Sequence, residues 1–293
     1  MLKVCVPATS ANLGSGFDCV GVALNLYNEL YFFADQKASL PMGTSLLNKE
    51  SLAHQGMLQV AKYVGKKSPK LNIAIKTVVP RARGLGSSAT LTVAGLVAAN
   101  LLLKADLKEE ELLNLASKIE GHPDNAAPAL LGGLVNSVTT EVGIKYIKVT
   151  PQQPLQVIVA VPDFKLATAE ARKVLPAVVP HQDAVFNTGR FGMLMASFLT
   201  GDYQLLSLAM QDRLHQPYRL PLVPGLNEVM SAVLAHGALG SCLSGAGPSV
   251  LAFSDNKADQ LRKVMEETWK EHGISAKTYL LKISEEGTKY CFN

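Results

Sequence analysis

Between Pro80 and Thr90 the chain reads PRARGLGSSAT, the segment whose residue types best suit chemistry. Gly84 and Gly86 let the backbone turn tightly, and Ser87 and Ser88 open an apolar run suited to a helix. At such a turn, free backbone N–H groups and the positive end of the helix dipole converge on one spot. That makes an anion hole sized for a polyphosphate. No Gly-Lys-Ser/Thr follows, so this is not a Walker A loop, and the third glycine of a dinucleotide fingerprint is absent. Taken alone, the segment reads equally well as a Gly-rich strand-to-helix turn with serine at the N-cap.

Three further segments carry chemistry-bearing groups. In VPATSANLGSGFD (Val6 to Asp18) small residues keep the backbone accessible, while Asn12 and Asp18 offer polar groups six positions apart. By itself this is a turn-rich loop after a short strand. EGHPDN (Glu120 to Asn125) holds Glu120, His122 and Asp124. Such residues are ordinarily solvated, yet Glu120 and Asp124 can place hard oxygen ligands or a proton acceptor beside a Mg²⁺-nucleotide. GALGSCLSGAGPSVLAF (Gly237 to Phe253) sets four glycines between two apolar runs, as in a bulged hairpin or a backbone that approaches something closely.

These segments need elements to position them. Leu71 to Val79 alternates apolar and polar residues and predicts a half-buried strand that Pro80 ends. Ser87 to Leu103 is nearly all apolar and predicts a buried helix. Asp106, with Glu109 three positions on, predicts the cap of a second helix, which Gly121 and Pro123 stop. Glu120 and His122 therefore fall at a helix end opening into a loop. A strand over Leu134 to Val138 follows, and the polar, proline-bearing stretch Glu141 to Pro154 reads as a domain junction. Beyond it come a strand at Val157–Val161 and helices at Ala184–Leu199 and Gln204–His215. Strands at Leu239–Leu243 and Ser249–Phe253, a helix at Lys257–His272 and a strand at Lys277–Ile283 complete the order. Read together, this is β-α-β-β-α-β with a helical insertion, the split βαβ plan.

The chain has 293 residues, which suits two packed domains or one large one. Hydrophobic residues make up 48% and charged residues 18%, enough apolar material for a full core. The net charge is +4, but no basic run exceeds Lys66–Lys67, so no nucleic-acid surface is expected. A mildly basic protein that attracts anions such as nucleotides fits better. Cys5, Cys19, Cys242 and Cys291 lack metal-ligand spacing and read as reduced thiols. The N-terminus lacks the apolar core of a signal peptide, and Leu91 to Leu103 is too short to span a bilayer. A soluble, cytoplasmic protein with no membrane partner is the expectation.

In series, VPATSANLGSGFD, PRARGLGSSAT, EGHPDNAAPALLGG and LSGAGPSVLAF resemble the GHMP kinases, and among them the wording is nearest the homoserine kinase branch. The motifs span residues 6 to 253, nearly the whole chain. The resemblance implies an α+β, two-domain fold: an N-terminal ribosomal-protein-S5-domain-2-like α/β domain over residues 1–153 and a C-terminal ferredoxin-like domain over 154–293. ATP and Mg²⁺ are the implied cofactors, and the implied activity is phosphorylation of the L-homoserine hydroxyl on the way to threonine.

By the same likeness, Arg81, Arg83, Gly84, Leu85, Gly86, Ser87, Ser88, Ala89 and Thr90 would hold the ATP phosphates. Ser88 and Glu120 would be metal ligands. Asn12, Asp18, His122, Asp124, Arg172 and Arg219 would meet the amino-alcohol, with the two arginines on its carboxylate. Ser88, Glu120 and Asp124 are the catalytic candidates, Asp124 being assigned to substrate binding first. Ser15 departs from the proline of many relatives and should change loop stiffness more than chemistry. The sequence leaves the oligomeric state open, a homodimer being the commonest closed assembly and one that occurs in the family it resembles. Asn48 and Ser51 fall in the part of the chain suited to adenine, though nothing local singles them out. Two rival readings stand beside this one: a mevalonate-type small-molecule kinase, and a non-catalytic ligand sensor on the same fold.

Overall fold

The computed structural model describes residues 1–34 and 39–292. The first strand, β1 (Leu2–Ala11), begins as alternation should: Leu2, Val4 and Val6 are buried while Lys3 and Cys5 are half-exposed. From Val6 onward every residue is buried, because the second half of the chain covers the other face. β1 pairs antiparallel with β2 (Val20–Phe33), which pairs with β4 (Asn72–Lys76), and the short β3 (Ser45–Leu46) closes that edge. Between β3 and β4 lies α1 (Leu52–Tyr63), and after β4 come α2 (Ser87–Leu102), α3 (Glu109–Glu120) and α4 (Ala126–Leu131). Helix α2 is buried nearly all round, as its composition demands, between the sheet and its fellow helices.

The hairpin β5 (Leu134–Thr140) and β6 (Gly143–Val149) extends the sheet through β2. Strand β6 lies inside the segment expected to be a junction. It was hidden because its apolar residues do not alternate with burial: only Ile144 and Val149 are buried, while Ile147 is exposed.

The second sheet has the order β10-β7-β9-β8, all antiparallel: β7 (Gln156–Pro162), β8 (Gly240–Leu243), β9 (Val250–Ser254) and β10 (Ala276–Lys282). With α9 (Leu226–Ala235) and α10 (Ala258–Glu271) on one face, this is the ferredoxin-like plan. The opposite face carries Val157, Val159 and Phe253 into a core shared with Ala8, Val22 and Leu24 of the first sheet. Between β7 and α9 run α5 (Thr168–Lys173), α6 (His181–Thr200), α7 (Leu206–Ala209) and α8 (Gln216–Arg219). The last strand, β11 (Lys289–Phe292), returns to pair with β1; all four of its residues are exposed, so it carried no burial pattern to read.

Two expectations need correcting. Asp106 does not cap α3: it lies in a left-handed turn (φ 53°), and Asn100 ties down the loop through the Leu107 amide and carbonyl. The cap is Lys108, whose amide donates to Glu111. Residues 204–215 form no continuous helix, because Asp212 accepts the amides of Leu214, His215 and Gln216 and ends the turn after α7. No helix among the described residues is long and apolar enough to cross a membrane.

Candidate active site

A cavity of about 290 Å³ opens where the two sheets meet. At one end the chain runs from Pro80 through Gly86 into α2. Ala82, Gly84 and Gly86 all have positive φ (54°, 76° and 64°), the alternation that folds successive N–H groups toward one concavity. A side chain at either glycine is barred. A Cβ at Gly84 would lie 2.0 Å from the Ser244 carbonyl oxygen, and one at Gly86 1.9 Å from the Thr9 hydroxyl. Helix α2 has no acidic residue in its first turn, so its N-terminus keeps its positive potential. Across from it, Ser88 Oγ donates to Glu120 Oε1 at 3.1 Å, and Thr92, one turn further along α2, donates a short bond to the same oxygen. Serine hydroxyl and glutamate carboxylate side by side form a hard-oxygen donor set that suits Mg²⁺.

The other end is built from side chains brought from distant elements. Asn12, at φ 72°, spends its amide inside the protein: Nδ2 donates to the Gly245 carbonyl and Oδ1 accepts the Asp18 amide. It therefore fastens the first loop and holds Asp18 in place. Asp18 takes both forks of Arg172, at 3.0 and 2.6 Å. That hydrogen bond, against the cost of burial, raises the Arg172 pKa above its ordinary value. His122 shares a short hydrogen bond with Asp124 Oδ1. Burial disfavours its charge, but the bond and the charge of Asp124 prevail and raise its pKa. Asn125 also donates to Oδ1, and Oδ2 of the cleft-lining Asp124 carries no hydrogen bond among the described residues. Ligand atoms of Asp18, His122 and Asp124 all lie within 4.8 Å of one another.

Arg219 differs from Arg172. It is 1% exposed and has no carboxylate partner among the described residues; instead it donates to the carbonyls of Ala171 and Gly245 and to His215. Burial first, and the nearby positive charge of Arg172 second, pull its pKa down to about 10. A buried guanidinium without a counter-charge is costly unless an anion joins it. Both guanidiniums also lie over the Phe17 ring, at 5.7 and 5.3 Å.

Of the expected site residues, Asn12, Asp18, Ser88, Glu120, His122, Asp124, Arg172 and Arg219 meet in this cavity, with Arg83 and residues 84–89 along its rim. Arg83 also bridges to the carbonyls of Pro162 and Asp163, tying the loop to the second sheet. Arg81 lines an adjoining groove, together with Asn48, Ser51, Ser87 and Ser88. Thr90 does not reach the cavity: it is fully buried, bonded to the Ser87 carbonyl and to Asn28, because its place in the second half of the turn points it at β2. Ser15 donates to the Ala209 carbonyl at 2.7 Å, a tether that proline lacks the hydroxyl to make. Sequence reasoning missed Thr92 and Thr168. Each stands four positions from a site residue on the same helix, Ser88 and Arg172, and that spacing was the available signal.

Known proteins resemble this chain over nearly its whole length. The GHMP kinases N terminal domain matches residues 51–133, and the GHMP kinases C terminal domain matches residues 194–271. The chain is 41% identical to a homoserine kinase of Desulfitobacterium hafniense over 298 aligned positions, covering 98% of this chain and 99% of that protein. It is 45% identical to a homoserine kinase of Caldicellulosiruptor saccharolyticus, over 90% of this chain and 87% of the other. The crystal structure of homoserine kinase from Cytophaga hutchinsonii superposes with a TM-score of 0.85 at 30% identity, over 99% of this chain and 97% of that one. With matches of this extent in sequence and in fold, the chain belongs to the GHMP kinase family and, within it, to the homoserine kinases.

Proposed function

We propose that this protein transfers the γ-phosphoryl group of ATP to the side-chain hydroxyl of L-homoserine, giving O-phospho-L-homoserine. The observation that carries the reading is the charge pattern at the acceptor end. Asp18 and Asp124 line one small cavity together with Arg172 and Arg219, two acidic and two basic side chains that match the ammonium and carboxylate of an amino acid. An acceptor such as mevalonate, with a carboxylate but no ammonium, would leave the acidic side without a partner.

Phosphoryl transfer asks for alignment and charge neutralisation more than for covalent help. Residues 84–88 would receive the phosphates through backbone N–H groups, and the groove bearing Arg81, Asn48 and Ser51 would take the rest of the nucleotide. Ser88 and Glu120 would hold Mg²⁺, which neutralises phosphate charge when bound. In the structure Asp18 and Arg172 neutralise each other; a zwitterionic acceptor would exchange that pair for two new ones, Asp18 with its ammonium and Arg172 with its carboxylate. Arg219 adds the fixed positive charge that orients the carboxylate, so the hydroxyl lies in line. Asp124, its Oδ1 already engaged, orients the acceptor through Oδ2. Residues 1–153, joined in the first sheet by β11, would form the ATP-binding domain, and the rest of residues 154–293 the ferredoxin-like domain. Dependence on ATP and a metabolite acceptor suits work in the cytoplasm.

Purified protein given ATP and Mg²⁺ should release ADP with L-homoserine, and ³¹P NMR should show the phosphomonoester. Turnover of mevalonate instead, or no ADP release with L-homoserine, would overturn the assignment.

A further inference from the structure

Beside the acceptor end lies a buried titratable group that the mechanism above does not use. His215 is fully buried and stands one helical turn before Arg219, at the i, i+4 spacing that puts two side chains on one face. Its Nε2 lies 2.9 Å from the carbonyl oxygen of Gly14, and its Nδ1 lies 3.2 Å from Arg219 Nη1. A carbonyl only accepts and a guanidinium only donates. Nε2 must therefore carry the proton and Nδ1 must be bare: the ring is neutral, in one tautomer. Phe17 stacks on it, with centroids 5.0 Å apart and planes 22° apart, and that phenyl ring also lies beneath both arginines.

We propose that His215 is a positioning residue for the acceptor carboxylate: its bare Nδ1 holds the Arg219 guanidinium at the angle that faces the cavity. Its Nε2–H, bound to Gly14, locks that angle to the first loop, the same loop that carries Asp18. The ammonium end does not depend on the imidazole, because Asn12 holds Asp18 through the Asp18 amide. Asp212 completes the support: it accepts the His215 amide at 2.9 Å and the Asn187 amide group at 2.8 Å. The inference rests on the proposed function in one respect, that Arg219 meets a carboxylate.

The test uses three variants of the full chain and two acceptors, L-homoserine and 3-aminopropan-1-ol, which is the same molecule without its carboxylate. Asparagine can place its carbonyl oxygen where Nδ1 stands, whereas glutamine reaches only the Nε2 position. His215→Gln and His215→Leu should each raise the KM for L-homoserine by about tenfold or more, the worth of one hydrogen bond to a charged group. The KM for ATP and the kcat/KM for 3-aminopropan-1-ol should stay within about twofold of the wild type. His215→Asn should restore most of the loss. Equal losses for both acceptors, or for all three variants, would mean that His215 merely holds the fold, and the proposal would fail. It would fail equally if His215→Gln, folded by circular dichroism, bound L-homoserine as the wild type does. Wild-type protein that phosphorylates neither acceptor would instead sink the proposed activity, a result distinct from both.

Discussion

The two ends of the cavity are made in opposite ways. The nucleotide end is mostly backbone: one contiguous run, residues 80–88, supplies the turn, the helix start and the serine hydroxyl. The acceptor end is all side chains, drawn from the first loop, the loop after α3, α5 and α8. A contiguous backbone device tolerates almost any side chain but needs glycine where atoms would collide. A device of distant side chains depends on the whole packing of two sheets, and on charges that must be held apart or paired until substrate arrives. Its two arginines show both solutions. Arg172, about one-third exposed, waits on Asp18, while Arg219, buried, waits on carbonyls and an imidazole.

Breaking the backbone device should have a large effect on both folding and catalysis. Gly86→Ala forces a Cβ into a left-handed conformation (φ 64°) and against the Thr9 hydroxyl, which is itself bonded to Asn125. The strain should cost about 1–3 kcal/mol in urea unfolding. The kcat/KM for ATP should fall by more than about a hundredfold, on the scale of losing oriented donors to a developing charge. Wild-type ATP kinetics in this variant would erase the contrast between the two ends.

This contrast also explains what was legible in the sequence. The loop at Gly84 and Gly86 was readable because its function needs neighbours in sequence. The ferredoxin-like order of β7 to β10 was readable because buried strands and the amphipathic α10 keep their periods. The acceptor end was not derivable residue by residue: Asp18 and Arg172 are 154 positions apart, and only the likeness to known motifs joined them. His215 reads as one more polar residue between Leu214 and Gln216, and nothing in its type announces a buried neutral ring. The mistaken cap at Asp106 came from trusting a local rule where Asn100, from the preceding helix, had already satisfied the loop.

The smallest effect sharpens the acceptor end through stability. Burial above all, with the charge of Arg219, holds the His215 pKa below its ordinary value, although Asp212 pulls the other way. The folded ring is neutral while the unfolded one takes a proton below about pH 6.5, so the unfolded state binds more protons and stability falls as pH drops from 7 toward 5. One such group contributes a slope of at most about 1.4 kcal/mol per pH unit. His54 adds a contribution of the same sign and His122 one of the opposite sign, so the comparison is between wild type and His215→Asn. The variant should show the shallower loss in urea midpoints between pH 7 and pH 5. Identical slopes would mean that His215 is already protonated in the fold.

The separateness of the two ends is tested most directly by steady-state kinetics of Arg219→Met, which keeps an unbranched apolar stem and removes the charge. Losing a buried charge partner costs about 2–5 kcal/mol, so the KM for L-homoserine should rise by about 30- to 5,000-fold. The KM for ATP should change by less than about threefold, because the phosphates are received by residues 84–88 at the opposite end. If both constants rose together, or if neither moved, the division of the cavity into a backbone-built nucleotide end and a charge-built acceptor end would be contradicted.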